Sequence, residues 1–230
     1  MTPTLTVSDE VRALAPGFTH VAVEAHGLVN GPSTEATSAL LDDAGRRLAR
    51  RLDGRAPHED PHMAAWREVY TAFGSKPSRT RNSAEALARR ALADSGLPRI
   101  NVLVDLYNAV SVARLIPVGG EDTDRIRGAM RLVRATGDED FVTVAGGAEV
   151  VEHPDAGEVV WSDDEGVTCR RWNWRQGPRT RLTEESVSAL FLLESLAPMP
   201  VADVESAGAE LAELLEKFSP GARITVHAPE

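Results

Sequence analysis

The amino-acid sequence predicts an α+β fold, and three observations predict it. Helical apolar spacing dominates residues 8–117 and recurs near the C-terminus. Short strand-like segments separated by turn signals fill residues 130–174. Helices and strands never alternate regularly, as a parallel sheet with crossover helices would require. No internal repeat or low-complexity linker divides the 230 residues, so one domain over 1–230 with a sizeable core is expected.

Taken in order, Ser8 is placed to cap a short helix (SDEVRAL) broken by Pro16-Gly17. A strand follows near 20–29, where Val21, Val23 and Ala25 alternate with polar or small neighbours. Residues 33–52 read as a helix whose arginines gather in the C-terminal half, the charge sign the helix dipole favours there. Residues 54–61 form a loop. Within it, His58-Glu59-Asp60-Pro61-His62 matches the H-E-x-x-H pattern of zinc proteases, which needs both histidines on one face of a continuous helix. Pro61 removes a helical hydrogen bond inside that span, so a loop and a helix start are expected and no metal. A helix over 63–73 carries Trp66, Tyr70 and Phe73 on one face, a stripe better suited to a core than to base stacking. Ser83 then caps a helix that closes at Gly96.

The most apolar window spans 97–122 (LPRINVLVDLYNAVSVARLIPVGGED). A helix here is apolar on nearly every face, yet Asn101, Asp105, Asn108 and Ser111 fall on one stripe at spacings of four, three and three. Each buried polar group must find a partner or cost about 1–3 kcal/mol. Two readings stand: a stripe that caps neighbouring loops, or one wall of a ligand site. Pro117-Val118-Gly119-Gly120 reads as a helix stop whose glycines admit close approach to the backbone.

Beyond it, strands are expected over 130–135, 141–145, 149–152, 158–161 and 167–174, the set reading as an antiparallel sheet. A helix follows over 181–196 with Thr183 as its N-cap, another over 201–218 stopped by Pro220-Gly221, and a last strand over 222–228. Were 169–176 one strand, Arg171, Asn173 and Arg175 would share one face and Arg170, Trp172, Trp174 and Gln176 the other. An Arg-Asn-Arg face suits a phosphate or carboxylate, because guanidinium offers a rigid donor fork; it equally suits a solvated surface over a tryptophan core.

Composition narrows the function classes. A formal charge of −10 argues against non-specific coating of DNA or RNA. The charge is uneven: residues 66–99 carry seven basic side chains against three acids, and 170–181 carry five arginines and no acid. If those segments meet they make an anion-binding face; otherwise they are two solvated surfaces. No apolar run approaches a membrane span and the N-terminus has no signal-peptide pattern, so a cytoplasmic protein without membrane contact is expected. Cys169, as a single cysteine, excludes an intramolecular disulfide and a cysteine-based zinc cage. No dinucleotide or Walker phosphate loop and no nucleophile-elbow motif occurs, and no cofactor is expected.

Several of these residues also carry a family likeness. Ile100 to Asn108 (INVLVDLYN), Pro117, Asp122, the RLVRA segment, Gly147-Ala148-Glu149 and Glu158-Val159-Val160-Trp161 resemble the B3/B4 domain of the bacterial phenylalanyl-tRNA synthetase β subunit, its editing domain. WREVYTAFGSKPSRTRNSAEAL and CRRWNWRQ extend the likeness to free-standing proteins built on that domain alone, over about 60–200. The resemblance implies an unusual β-sandwich with flanking helices and, as activity, hydrolysis in trans of the ester of a mischarged tRNA. It places the site where the central helix, the turn after it and a glycine-containing strand turn converge. Asn108 and Glu149 are then the candidates for positioning substrate or water. Tyr107, Gly119, Gly120, Gly147 and Asn173 line the substrate, while Arg79, Arg81, Arg171 and Arg175 face tRNA. One departure stands out: the family's histidine after the proline–hydrophobic pair is Gly119 here. A non-catalytic module binding tRNA or an amino-acid-like ligand, and a hydrolase of another small acyl ester, are the alternatives.

Overall fold

The structure, a computed structural model, describes residues 4–229. β1 (Leu5–Val7) and α1 (Asp9–Leu14), capped by Ser8, lead into β2 (Thr19–His26). α2 (Glu35–Leu52) begins at a Thr34–Thr37 capping box. α3 (Pro61–Ala72) begins at Asp60, with Pro61 in the first turn where its missing N–H leaves no bond unmade. α4 (Ser83–Ala91) is capped by Asn82 rather than Ser83, and α5 (Val102–Arg114) by Asn101. Then come β3 (Val118–Asp122), β4 (Met130–Arg134), β5 (Phe141–Ala145), β6 (Ala148–Glu152), β7 (Val159–Ser162), β8 (Val167–Arg170) and β9 (Arg175–Gln176). β10 (Ser188–Ser195), α6 (Val201–Phe218) and β11 (Arg223–Val226) complete the chain.

The strands form a five-stranded sheet in the order β1-β4-β7-β8-β9, a four-stranded sheet in the order β11-β2-β10-β3, and the hairpin β5–β6. In β2 and β10 alternate side chains serve two cores. Ala22, Leu190 and Leu192 join Met130, Leu132, Val159 and Trp161 of the larger sheet, with Trp66 and Trp172, in the layer between the sheets. Val21, Val23, Ala25, Ala189, Phe191 and Leu193 face the other way, onto α6 and part of α5. The result is an α+β sandwich with flanking helices. Among the described residues no helix is long and apolar enough to cross a membrane.

Three local expectations are corrected. Residues 181–196 are not a helix. Thr183 opens a turn, donating its N–H to the Ser186 hydroxyl at 2.9 Å, and β10 follows as a strand buried on both faces. Double burial replaces alternation with a continuous apolar run, which periodicity cannot tell from a buried helix. The strand expected over 167–174 ends at Arg170, because Arg171 (φ 46°) and Trp172 (φ 66°) turn left-handed and reverse the chain. The Gly119-Gly120 pair lies inside β3 rather than in a helix stop. The stop is Leu115, in the left-handed conformation (φ 54°). Gly120 answers to close packing: a Cβ there would stand 2.9 Å from Leu182 and 3.1 Å from Tyr107 and Phe191.

Candidate functional site

Central helix α5 decides between the two readings of its polar stripe, and it divides them. Asn101 caps the helix by accepting from the Val104 N–H at 3.0 Å and donates to the Leu182 carbonyl. Asp105 accepts from the Thr37 hydroxyl at 2.8 Å and from the Ile100 N–H, while Ser111 donates to the Ile116 carbonyl at 2.7 Å. These three are structural. Asn108 alone of the four makes no hydrogen bond to the described residues, although it is 5% exposed, and its side chain lines a cavity.

That cavity, about 280 Å³, is enclosed by several elements. From α5 come Tyr107 and Asn108, and from β3 come Val118, Gly119 and Glu121. The central strand β10 provides Leu192 and Glu194. The larger sheet and its reversal supply Trp161, Cys169 and residues 172–176, and α4 closes the rim with Ser83 and Arg90. Antiparallel register makes this convergence possible. Leu190 pairs with Glu121 and Leu192 with Gly119, so Glu121, Gly119 and Glu194 project from one face of the smaller sheet toward the larger.

The floor is polar and fully wired at one end. Glu194, 2% exposed, accepts from the indole N–H groups of Trp161 (2.9 Å) and Trp172 (3.0 Å) on Oε1 and from the Asn173 amide (3.0 Å) on Oε2. Asn173 in turn accepts from the Tyr70 hydroxyl at 2.8 Å. Burial pushes the Glu194 carboxyl up to about 7, and the three donors temper the rise. At the other end burial pushes Glu121 up to about 8, moderated by the neighbouring Thr180 hydroxyl and Gln176 amide. The Cys169 thiol and Tyr107 phenol, near these carboxyls, are also shifted upward, mainly by burial. The titratable wall of the cavity is thus biased toward its neutral, protonated form.

Of the residues expected at a site, Tyr107, Asn108, Gly119, Asn173 and Arg175 meet at this cavity. Gly120 backs it, its carbonyl accepting from the Gln176 amide at 2.8 Å. Gly147 and Glu149 do not line it; they sit exposed at the tip of the β5–β6 hairpin. The base of that hairpin is tied to the cavity rim by Arg175, which donates to the Thr143 hydroxyl at 2.7 Å and pairs with Glu152. The two basic segments do meet, since the Ser83 N–H donates to the Asn173 carbonyl and Arg90 and Arg175 share the rim. Much of their charge is already neutralised. Arg170 and Arg171 pair with Glu158, Arg179 with Asp163, and both Arg67 and Arg81 with Glu85. Arg171 stacks over the Trp174 ring at 4.6 Å, and Arg79 is exposed.

The sequence reading missed Glu121 and Glu194. A lone acid inside the apolar run LFLLESL was the available signal for Glu194; Glu121, beside Asp122 and a glycine pair, gave none. The H-E-x-x-H match dissolves. His58 lies in a turn before α3, and buried His62 uses both ring nitrogens, Nδ1 against the Leu115 carbonyl and Nε2 accepting from the Trp66 and Leu196 N–H groups. Burial drives its pKa down to about 4.

A family model described as the B3/4 domain matches residues 65–218. No curated protein matches the chain. Among solved structures, it is similar to an N-terminal fragment of the phenylalanyl-tRNA synthetase β-subunit from Pyrococcus horikoshii, at 13% identity and a TM-score of 0.46. That alignment covers 97% of this chain and 50% of the fragment, so the chain spans half the fragment's length.

Proposed function

The chain belongs to the B3/4 domain family, and from that premise we propose that it is a trans-acting aminoacyl-tRNA deacylase, hydrolysing the ester that joins a wrong amino acid to tRNA. The observation carrying this reading is the convergence of α5, β3 and residues 172–176 on one cavity in which Asn108 holds an unsatisfied amide. An aminoacyl ester is activated, so its hydrolysis needs a held water and a fixed carbonyl more than a strong base. Water adds to the ester carbonyl carbon, the carbon–oxygen bond to the ribose breaks, and the ribose oxygen leaves with a proton from that water. In this scheme Asn108 fixes the carbonyl or the water, Tyr107, Gly119, Gly120 and Asn173 shape the space around the aminoacyl group, and Arg175 and Arg171 receive terminal phosphates. Arg79 and Arg81 extend the basic rim. Glu149 and Gly147, on the hairpin, act from outside the cavity, on the tRNA side.

The same reading takes the whole chain as one B3/B4-like unit acting in the cytoplasm without cofactor or DNA. Pairing of β2 from the N-terminal part with β10 and β11 supports the single unit. A second reading, a non-catalytic module for tRNA or an amino-acid-like ligand, is favoured by one observation: each shifted titratable group in the cavity is moved toward its protonated form, which leaves little free base there to activate a water. Deacylation of correctly and incorrectly charged tRNAs at sub-stoichiometric protein separates the readings. Selective turnover of one mischarged species supports the enzyme; stoichiometric binding without turnover supports the module; ester hydrolysis that needs no tRNA indicates a different acyl substrate.

A further inference from the structure

Nine acidic side chains are buried among the described residues, and eight of them have an ordinary explanation. Glu24 meets His26, Asp60 meets Arg51, Glu85 meets Arg67, Asp105 meets Thr37, Asp122 meets Ser186, Glu158 meets Arg170, Asp163 meets Arg179, and Glu194 takes three N–H donors. Glu121 is the exception. It is 6% exposed, forms no ion pair, and its Oε2 is buried with no donor at hydrogen-bonding geometry, although the cavity opens against the residue. A buried carboxylate without a partner is costly, and such groups call for a specific cause. Arg179, the cation that acts on its charge, is already committed to Asp163 through both of its terminal nitrogens at 2.8 and 2.7 Å.

We infer that Glu121 is the receptor for a primary ammonium group, so that the cavity takes an amino-acid unit with a free α-amino group and refuses an N-acylated one. The inference rests on the reading above that the cavity receives an aminoacyl group, and it adds the residue that selects the free amine. An ammonium has three donors and no acceptor capacity, which matches an unfilled carboxylate together with the unpaired Asn108 amide oxygen on the neighbouring wall. Trp161, Trp172, Leu192 and Val118 offer the apolar part of such a ligand its contacts.

Charge bookkeeping follows from the surroundings. From the 175–181 segment, Arg179 stabilises the carboxylate of Glu121 while Gln176 and Thr180 lie beside it; Asp163 opposes ionisation. Tyr107 of α5 and Cys169 of β8 face the same space and are neutral. Burial biases Glu121 toward its protonated form, and entry of R–NH₃⁺ converts it to carboxylate with release of one proton to solvent.

Calorimetry on the full chain tests this with L-phenylalaninamide and 3-phenylpropanamide, which differ by the ammonium group alone. The ammonium compound is expected to bind roughly tenfold more tightly or better. Its heat should vary with buffer ionisation enthalpy in the sense of proton release. In Glu121→Gln, and in Glu121→Leu as a second variant, the preference should collapse toward unity. Equal binding of the two compounds by the unaltered protein, a preference retained in both variants, or no binding of either overturns the inference. Deacylase turnover without amine preference would sink this inference and leave the proposed activity standing. Amine preference without turnover of any tRNA would do the reverse.

Discussion

Trp172 donates its indole N–H to Glu194 at 3.0 Å, which fastens the left-handed reversal after β8 to the central strand of the opposite sheet. The ring is fully buried, edge-on to Trp66 at 5.2 Å and to Phe18 at 5.0 Å. With Trp161 and Asn173, which donate to the same carboxyl, it ties the two sheets together at the cavity floor.

Trp172→Ala should therefore cost at least ~3 kcal/mol in urea unfolding, from lost packing and from a buried carboxylate deprived of a donor. Trp174→Ala, at the half-buried rim, should cost about 1 kcal/mol or less. Equal costs for the two would refute the assignment of Trp172 as the structural tryptophan and Trp174 as the rim tryptophan.

The members of the α5 stripe should separate in the same way. Asn101→Ala removes a helix cap and should lower stability by about 1–2 kcal/mol. Asn108→Ala removes no protein hydrogen bond and should stay within about 0.5 kcal/mol of the parent in stability. It should nevertheless lose deacylation roughly a hundredfold. If Asn108→Ala turns over mischarged tRNA at the parent rate while folded, the catalytic assignment is wrong.

Glu194 makes stability depend on pH with a definite sign. Its carboxyl is raised from 4.5 to about 7, so the native state binds the extra proton. The stabilising contribution is complete below about 4.5 and is lost as pH rises through about 7. Melting temperatures of the parent should fall relative to those of Glu194→Gln between about pH 4.5 and 7 and run parallel above that. Curves parallel throughout would show that Glu194 does not titrate in that range. His62 acts oppositely: lowered from 6.5 to about 4, it supplies stability above 6.5 that drains away as pH falls toward 4.

A chelator should leave the melting temperature unchanged, and His58→Ala should be within about 0.5 kcal/mol of the parent. His62→Ala should cost about 2–3 kcal/mol, because the Trp66 and Leu196 N–H groups lose their buried acceptor. A chelator-dependent melt would restore the metal reading of residues 58–62.

Much of this architecture was legible in the residues. Ser8 caps α1, Pro61 opens α3 instead of sitting within a helix, and the α5 stripe is there with one member facing a cavity. What escaped has physical causes. β10 is covered on both faces, which erases the alternation that betrays a strand. The reversal at Arg171 and Trp172 places a left-handed turn on two residues that carry none of the usual glycine or asparagine signal. Glu121 and Glu194 became neighbours of one cavity through pairing between β10 and β3, a register that no local pattern encodes. The hairpin holding Gly147 and Glu149 was recognised as paired strands, but not that it carries both residues away from the cavity.

The strand order of the smaller sheet has a consequence for the birth of the protein. Among the described residues β2 has β10 and β11 as its only strand neighbours, and its contact from His26 to Ser188 spans 162 positions. On a translating ribosome, β2 emerges early and waits unpaired until most of the chain has followed, exposing an apolar edge meanwhile. Helices α2 to α5 complete themselves from local contacts and are available to shelter it. A nascent chain arrested before residue 188 is thus expected to be helical, protease-sensitive near 19–26 and without a cavity, since the strand bearing Glu194 has not yet been made.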